Sequence, residues 1–163
     1  MIGTDAMAWL EALSYVVTIV GLPMAIIVFV YEQRRERANE DEALYQSLAD
    51  QYDSFLRLIL EHADLGLTSR AGFARPPTEE ERERRLLIYE LLISIFERAY
   101  IMLYPPQSRQ AERVWASWND YMRYWCRRED LRDALPGLLE GEDDAFSRHI
   151  RAIAADEGGG PPR

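Results

Sequence analysis

Glu90 and Glu97 stand seven residues apart, which places them on one face of any helix that carries them, with Arg98 beside the second. Carboxylates buried on a helix face have raised pKa values and can serve as general acid or base. Buried charges are more often paired, and the chain offers 19 arginines for the purpose. The residue types therefore predict a buried polar cluster of Glu90, Glu97, Arg98, Arg127 and Arg128, with Arg123 a further partner, and a structural salt bridge as its first use. Trp115, Trp118 and Trp125, joined by Met122, recur at spacings of three and four and make an aromatic helix face. Such a face packs a core or meets a ligand or partner. Cys126 lies in Trp-Cys-Arg-Arg. Neighbouring cations favour a thiolate, but no base is spaced to work with it, so a buried and inert thiol is expected. His62 and His149 begin no metal-ligand pattern. The sequence holds no Glu-x-x-His, His-Glu-x-x-His, Gly-x-Ser-x-Gly or phosphate-binding loop. No catalytic residue, metal or cofactor is assigned.

The bulk composition narrows the partners. All 19 basic residues are arginine, against 28 acids, and the net charge is -9. Nucleic-acid binding needs a basic surface that releases counterions from phosphates, so nucleic acid is excluded as a partner. A single cysteine forms no internal disulfide, which fits a reducing compartment.

The elements that must position these residues begin with an apolar run. Ala12 to Tyr31 are twenty residues without a charge, eleven of them Leu, Ile, Val or Phe. As a helix the run is about 30 Å long, the thickness of a bilayer's hydrocarbon core. Tyr15, Tyr31 and Trp9 fall near its ends, where aromatic rings favour the interface. A cleaved signal peptide is disfavoured, because the residues before the run carry Asp5 and Glu11 and no base. Arg34, Arg35 and Arg37 follow the run and no base precedes it, so the positive-inside rule places the C-terminal side in the cytoplasm. Ser14, Thr18, Gly21 and Ala25, spaced 4, 3 and 4, form a stripe of small side chains suited to helix self-association. Pro23 lies off that stripe.

Beyond the run, Ala38, Tyr45, Leu48, Tyr52, Phe55 and Ile59 keep helical spacing, widened by Leu44, Leu56 and Leu60. They predict a helix over about 41–63, continuous with the first or separate from it. Residues 65–77, with Gly66, Gly72, Pro76 and Pro77, read as a loop. Thr78 and Glu81 have the spacing of a capping box. The helix they open, about 79–104, is apolar on nearly every face and is expected at the centre of the core. A second membrane span is the alternative there, opposed by Glu90, Glu97 and Arg98. Pro105-Pro106 ends it. Further helices are expected over about 108–127, 129–135 and 143–155, with Phe146, Ile150 and Ile153 facing inward and a disordered tail over 158–163.

Three stretches carry a resemblance: Tyr31-Glu-Gln-Arg-Arg-Glu-Arg37, Ile93-Ser-Ile-Phe-Glu-Arg-Ala-Tyr100 and Trp125-Cys-Arg-Arg-Glu-Asp130. In this order the chain resembles a group of uncharacterised small bacterial membrane proteins with one N-terminal span. The resemblance implies an anchor and a helical cytosolic domain, and no activity or cofactor.

The expectation is an all-α protein. A short extracytoplasmic N-terminus (1–11), a single-pass transmembrane helix (12–31), a cytosolic helical bundle (32–157) and the tail (158–163) make up the chain. It would sit in the inner or plasma membrane with the N-terminus outside and the domain in the cytoplasm. The favoured role is a membrane-anchored interaction module that binds itself or an unknown protein partner, in signalling or stress response. The alternatives are a ligand sensor or enzyme with a polar pocket around Glu90 and Glu97, and a subunit of an oligomeric pore.

Overall fold

A computed structural model describes residues 3–68 and 76–159. Up to Asp41, side chains are described at Tyr15, 20–33, 35, 36 and 40. Five α-helices and one short 3-10 turn make up the described residues, which contain no strand: α1 (Gly3–Glu61), the 3-10 turn (Ala63–Leu65), α2 (Glu79–Leu103), α3 (Arg109–Cys126), α4 (Glu129–Leu138) and α5 (Asp144–Gly158). The chain divides into two compact units, residues 1–46 and residues 47–163. The all-α expectation holds, and the first unit extends past the apolar run to Gln46.

The first unit is helix throughout its described length. Between Tyr31 and Asp41 no Gly or Pro interrupts a run of strong helix formers, so α1 continues unbroken past the apolar run. It also runs through Pro23, which offers no N–H to the carbonyl four residues before it.

In the second unit, α1 contributes Leu48, Tyr52, Phe55 and Ile59 to the core, at spacings of 4, 3 and 4. Of the three residues expected to widen that stripe, Leu44 is half-buried, whereas Leu56 and Leu60 are exposed. His62 follows the helix end, and Gly66 takes the left-handed conformation (φ 62°) that closes the 3-10 turn. Residues 69–75 of the expected loop lie outside the described residues.

The capping box opens α2 as its residues predict. The Glu81 N–H donates to Thr78 Oγ1 at 3.2 Å, and the Thr78 N–H donates to Glu81 Oε2 at 2.7 Å. One face of α2 is buried, carried by Ile88, Tyr89, Leu92, Ile93, Phe96 and Ala99. The other face exposes Leu86, Leu87, Leu91, Ile101 and Met102, so the helix is not enclosed on all sides.

Helices α2, α3, α4 and α5 pack against one another. Ser108 caps α3 by accepting the Ala111 N–H at 3.1 Å. Asp143 caps α5 by accepting the N–H groups of Ala145 (2.9 Å) and Phe146 (2.8 Å). Helix α4 passes Pro136 and ends at Leu138, three residues beyond its expected end at Leu135. Leu135 faces the core and its carbonyl still receives the Leu139 N–H at 3.0 Å, which carries the helix past the proline. Phe146, Ile150 and Ile153 of α5 are buried as expected. The helix reaches Gly158, so the expected tail is helical at its first residue; residues 160–163 lie outside the described residues.

Candidate functional site

The residues expected to form one buried polar cluster do not meet. Glu90 is exposed, as are Arg98 and Arg127. The reason is the register of α2: Tyr89, Leu92, Ile93 and Phe96 take the core side, which turns residue 90 to the opposite face. Glu97 is half-buried and, among the described residues, pairs with no arginine. Its Oε1 accepts the Asp143 N–H at 2.5 Å, and the neighbouring Glu142 carboxyl is pushed up to about 7, first by Glu97 and then by burial. Arg98 donates to Gln51 of α1 and to Ser94. Arg127 and Arg123 pair with Glu157 at 3.1 and 3.3 Å, and Arg123 also reaches Asp156 at 3.5 Å. These pairs fasten the end of α3 to the end of α5. Burial works against the Glu157 charge, but the bonds from Arg127 and Arg123 outweigh it and hold its pKa below the usual glutamate range.

The polar cluster that does form is built around Asp130, in the first turn of α4. Arg85 of α2 donates to Asp130 Oδ2 at 3.1 Å and, with two further nitrogens, to the Leu65 carbonyl at 3.0 and 2.6 Å. Arg128 donates to both Asp130 oxygens at 3.0 and 2.8 Å, to Tyr89 Oη at 3.0 Å and to the Leu67 carbonyl at 2.8 Å. Burial raises the cost of ionising Asp130, but the Arg128 bond and charge, with Tyr89 and Arg85, prevail and lower its pKa. Burial raises that of Tyr89. Beside the cluster, Arg84 bridges Asp64 at 3.0 Å and His62 Nδ1 at 3.1 Å. These guanidinium groups satisfy backbone carbonyls of residues 65–67 and bind them to α2 and α4. Their donors are directed at internal acceptors, so the arrangement holds a loop in place. Arg85 and Tyr89 have partners 20 to 45 residues away, which leave no local spacing to read, and Asp130 lies two residues from Arg128 but is joined to Arg85 only by the fold.

The aromatic face divides. Trp118 and Trp125 are buried, the Trp125 indole N–H donating to Tyr52 Oη at 3.0 Å. Phe55, Phe96 and Tyr121 pack edgewise on them. Trp115 instead joins a half-exposed group with Tyr100, Tyr104 and His149. The six centroid separations among these four rings run from 5.0 to 6.0 Å. The rings touch one another on every side, whereas a cage for a cationic ligand holds its rings apart around the guest. His149 Nε2 lies 3.1 Å from Asn119 Oδ1, and burial, then Arg123, lowers its pKa. Cys126 is fully buried and its thiol is pushed up to about 12, chiefly by burial, which makes it the inert thiol expected. Among the described residues, no group of three or more His, Cys, Asp or Glu is placed to hold a metal ion.

What remains exposed is apolar. From Val20 to Tyr31 every side chain of α1 is exposed, Gly21 and Ala25 included. Leu22, Met24, Ile27, Phe29 and Tyr31 each show more than 60% of their surface. The side chains of Ser14 and Thr18, the other half of the small-residue stripe, lie outside the described residues, as do those of Arg34 and Arg37; Arg35 is exposed. Among the described residues, no helix is long and apolar enough to cross a membrane.

Compared with protein-family models, curated proteins and solved structures, the chain matches none.

Proposed function

We propose that the chain is a membrane-tethered helical interaction module, with α1 as the tether and residues 47–163 as the module. The observation that carries the reading is the unbroken exposure of α1 from Val20 to Tyr31. Twelve consecutive side chains, most of them large and apolar, are exposed among the described residues, and a patch of that kind needs a lipid or protein cover. These twelve residues alone span about 18 Å of helix. The uncharged sequence back to Ala12 extends the run to about 30 Å, the depth of a bilayer's hydrocarbon core. Arg34, Arg35 and Arg37 then set the direction, with the module on the cytoplasmic side.

The module's polar groups support interaction over catalysis. Its arginine–carboxylate sets fasten elements to one another: Arg85 and Arg128 to Asp130, Arg123 and Arg127 to Glu157. Its exposed apolar residues on α2 are available for contact with another protein.

The test is carbonate extraction of membranes from cells expressing the full chain. The wild type is expected in the membrane pellet, and the double variant Leu22→Arg, Ile27→Arg in the supernatant. Each arginine near the bilayer centre costs roughly 2.5–3.5 kcal/mol on insertion scales. A wild-type chain released by carbonate would overturn the proposal.

A further inference from the structure

We propose that the exposed face of α2 is a docking surface for a helix of another protein, one whose apolar stripe is bordered by basic residues. The inference rests on reading residues 47–163 as an interaction module, and not on the tether.

The face has the layout of one half of a helix pair. Arg84, Leu87, Leu91, Ser94, Arg98 and Ile101 follow one another at spacings of 3, 4, 3, 4 and 3. They lie in line on the side of α2 turned away from Ile88, Leu92 and Phe96. Leu87 and Ile101 show 64% and 57% of their surface. The line is about 26 Å long, close to five turns of helix. Its two arginines are engaged within the module. Arg84 donates to Asp64 at 3.0 Å, and Arg98 donates to Gln51 and Ser94. A partner therefore meets chiefly Leu87, Leu91 and Ile101, with Met102 beside them.

The charges bordering such a stripe decide which helix pairs with it. Glu83, Glu90 and Glu97 recur every seven residues along one edge. Glu83 and Glu90 are exposed, and no ion pair among the described residues takes up any of the three. Glu97 accepts the Asp143 N–H at 2.5 Å, which brings Glu142 and Asp143 of the turn before α5 to the end of the same edge. A helix that supplies Lys or Arg at seven-residue intervals pairs with the glutamates in turn.

A second copy of this chain is a poor match. Antiparallel pairing that sets Leu87 against Leu91 also sets Glu90 against Glu90 and Glu83 against Glu97. Parallel pairing sets Arg84 against Arg84 and Arg98 against Arg98. Like charges meet either way. An anionic lipid surface meets the same glutamates. The face suits a different chain of opposite edge charge.

The experiment uses the full chain in dodecylmaltoside micelles and two synthetic three-heptad helical peptides. Both carry leucine on the same stripe; one has lysine along its edges and the other glutamate. Anisotropy of the labelled peptide reads binding, with empty micelles as the blank, and methyl NMR locates it. The lysine peptide is expected to bind on the order of tenfold more tightly than the glutamate peptide. It is expected to shift the methyl signals of Leu87, Leu91 and Ile101. The double variant Glu83→Lys, Glu90→Lys should invert the preference; Glu97 is left in place because it also holds Asp143. Leu87→Ser, at an exposed position away from the core, should weaken the lysine peptide on the order of tenfold. Equal affinity for the two peptides, or a preference that survives the charge reversal, would overturn the docking face. So would wild-type dimers that Leu87→Ser dissolves. The lysine peptide bound elsewhere on residues 47–163 would overturn this face and keep the module; no binding at all would count against both.

Discussion

Asp130 holds two arginines on one carboxylate oxygen, Arg85 at 3.1 Å and Arg128 at 2.8 Å, and through them the carbonyls of residues 65–67. Asp130→Ala leaves both guanidinium groups, which are largely buried, without their carboxylate. It is expected to lower unfolding stability by about 2–3 kcal/mol, less than a fully buried pair because Asp130 keeps some solvent contact. Urea denaturation followed by tryptophan fluorescence measures the loss, since Trp118 and Trp125 are buried in the same unit. The pH dependence has a definite sign. The Asp130 pKa is lowered in the folded state, so its contribution is present above the ordinary aspartate range and is lost as pH falls through the folded value. None of this was legible from residue spacing. Glu90 and Glu97 share a helix, yet Glu90 faces outward and Glu97 accepts a backbone N–H. Arg128 was singled out, but for the wrong partner: the acid that claims it lies two residues away, at the start of α4. Cys126 was legible, because a lone thiol beside a tryptophan stripe shares its burial.

Helix ends were legible where the signal is local. Thr78 with Glu81 opens α2, Ser108 opens α3, and Asp143 opens α5, each cap satisfying N–H groups that the helix cannot. Thr78→Ala is expected to cost about 1 kcal/mol and to raise amide exchange at Glu81, the residue whose N–H it accepts. An unchanged exchange rate at Glu81 would contradict the cap's role. Which face of a helix is covered was less legible. The sequence of α2 is apolar nearly all round and gives no preferred side, so the outward placement of Leu87, Leu91 and Ile101 had to come from packing. Leu56 and Leu60 fit the apolar period of α1 and are nevertheless exposed, because the core side of the helix is taken by Tyr52 on Trp118, Phe55 on Trp125, and the buried Ile59. At Pro136 the opposite error occurs: a residue expected to stop α4 is passed, since burial of Leu135 and Leu138 on either side outweighs one missing N–H.

At the scale of the molecule, the claim is that α1 meets lipid over the run that ends at Tyr31. Exposure on every side from Val20 to Tyr31 fits a lipid environment, which is uniform around a helix, better than a protein partner, which covers one face. Nitroxide labels placed singly at Leu22, Met24, Ile26, Ile27, Val28 and Phe29, in the full chain reconstituted in bilayers, distinguish the two. Cys126 does not interfere, being fully buried with its thiol pushed up to about 12. Lipid contact predicts that collisions with oxygen exceed those with a water-soluble nickel complex at all six positions, with no helical period. Water-accessible labels, or oxygen accessibility that rises and falls every three to four residues, would contradict it.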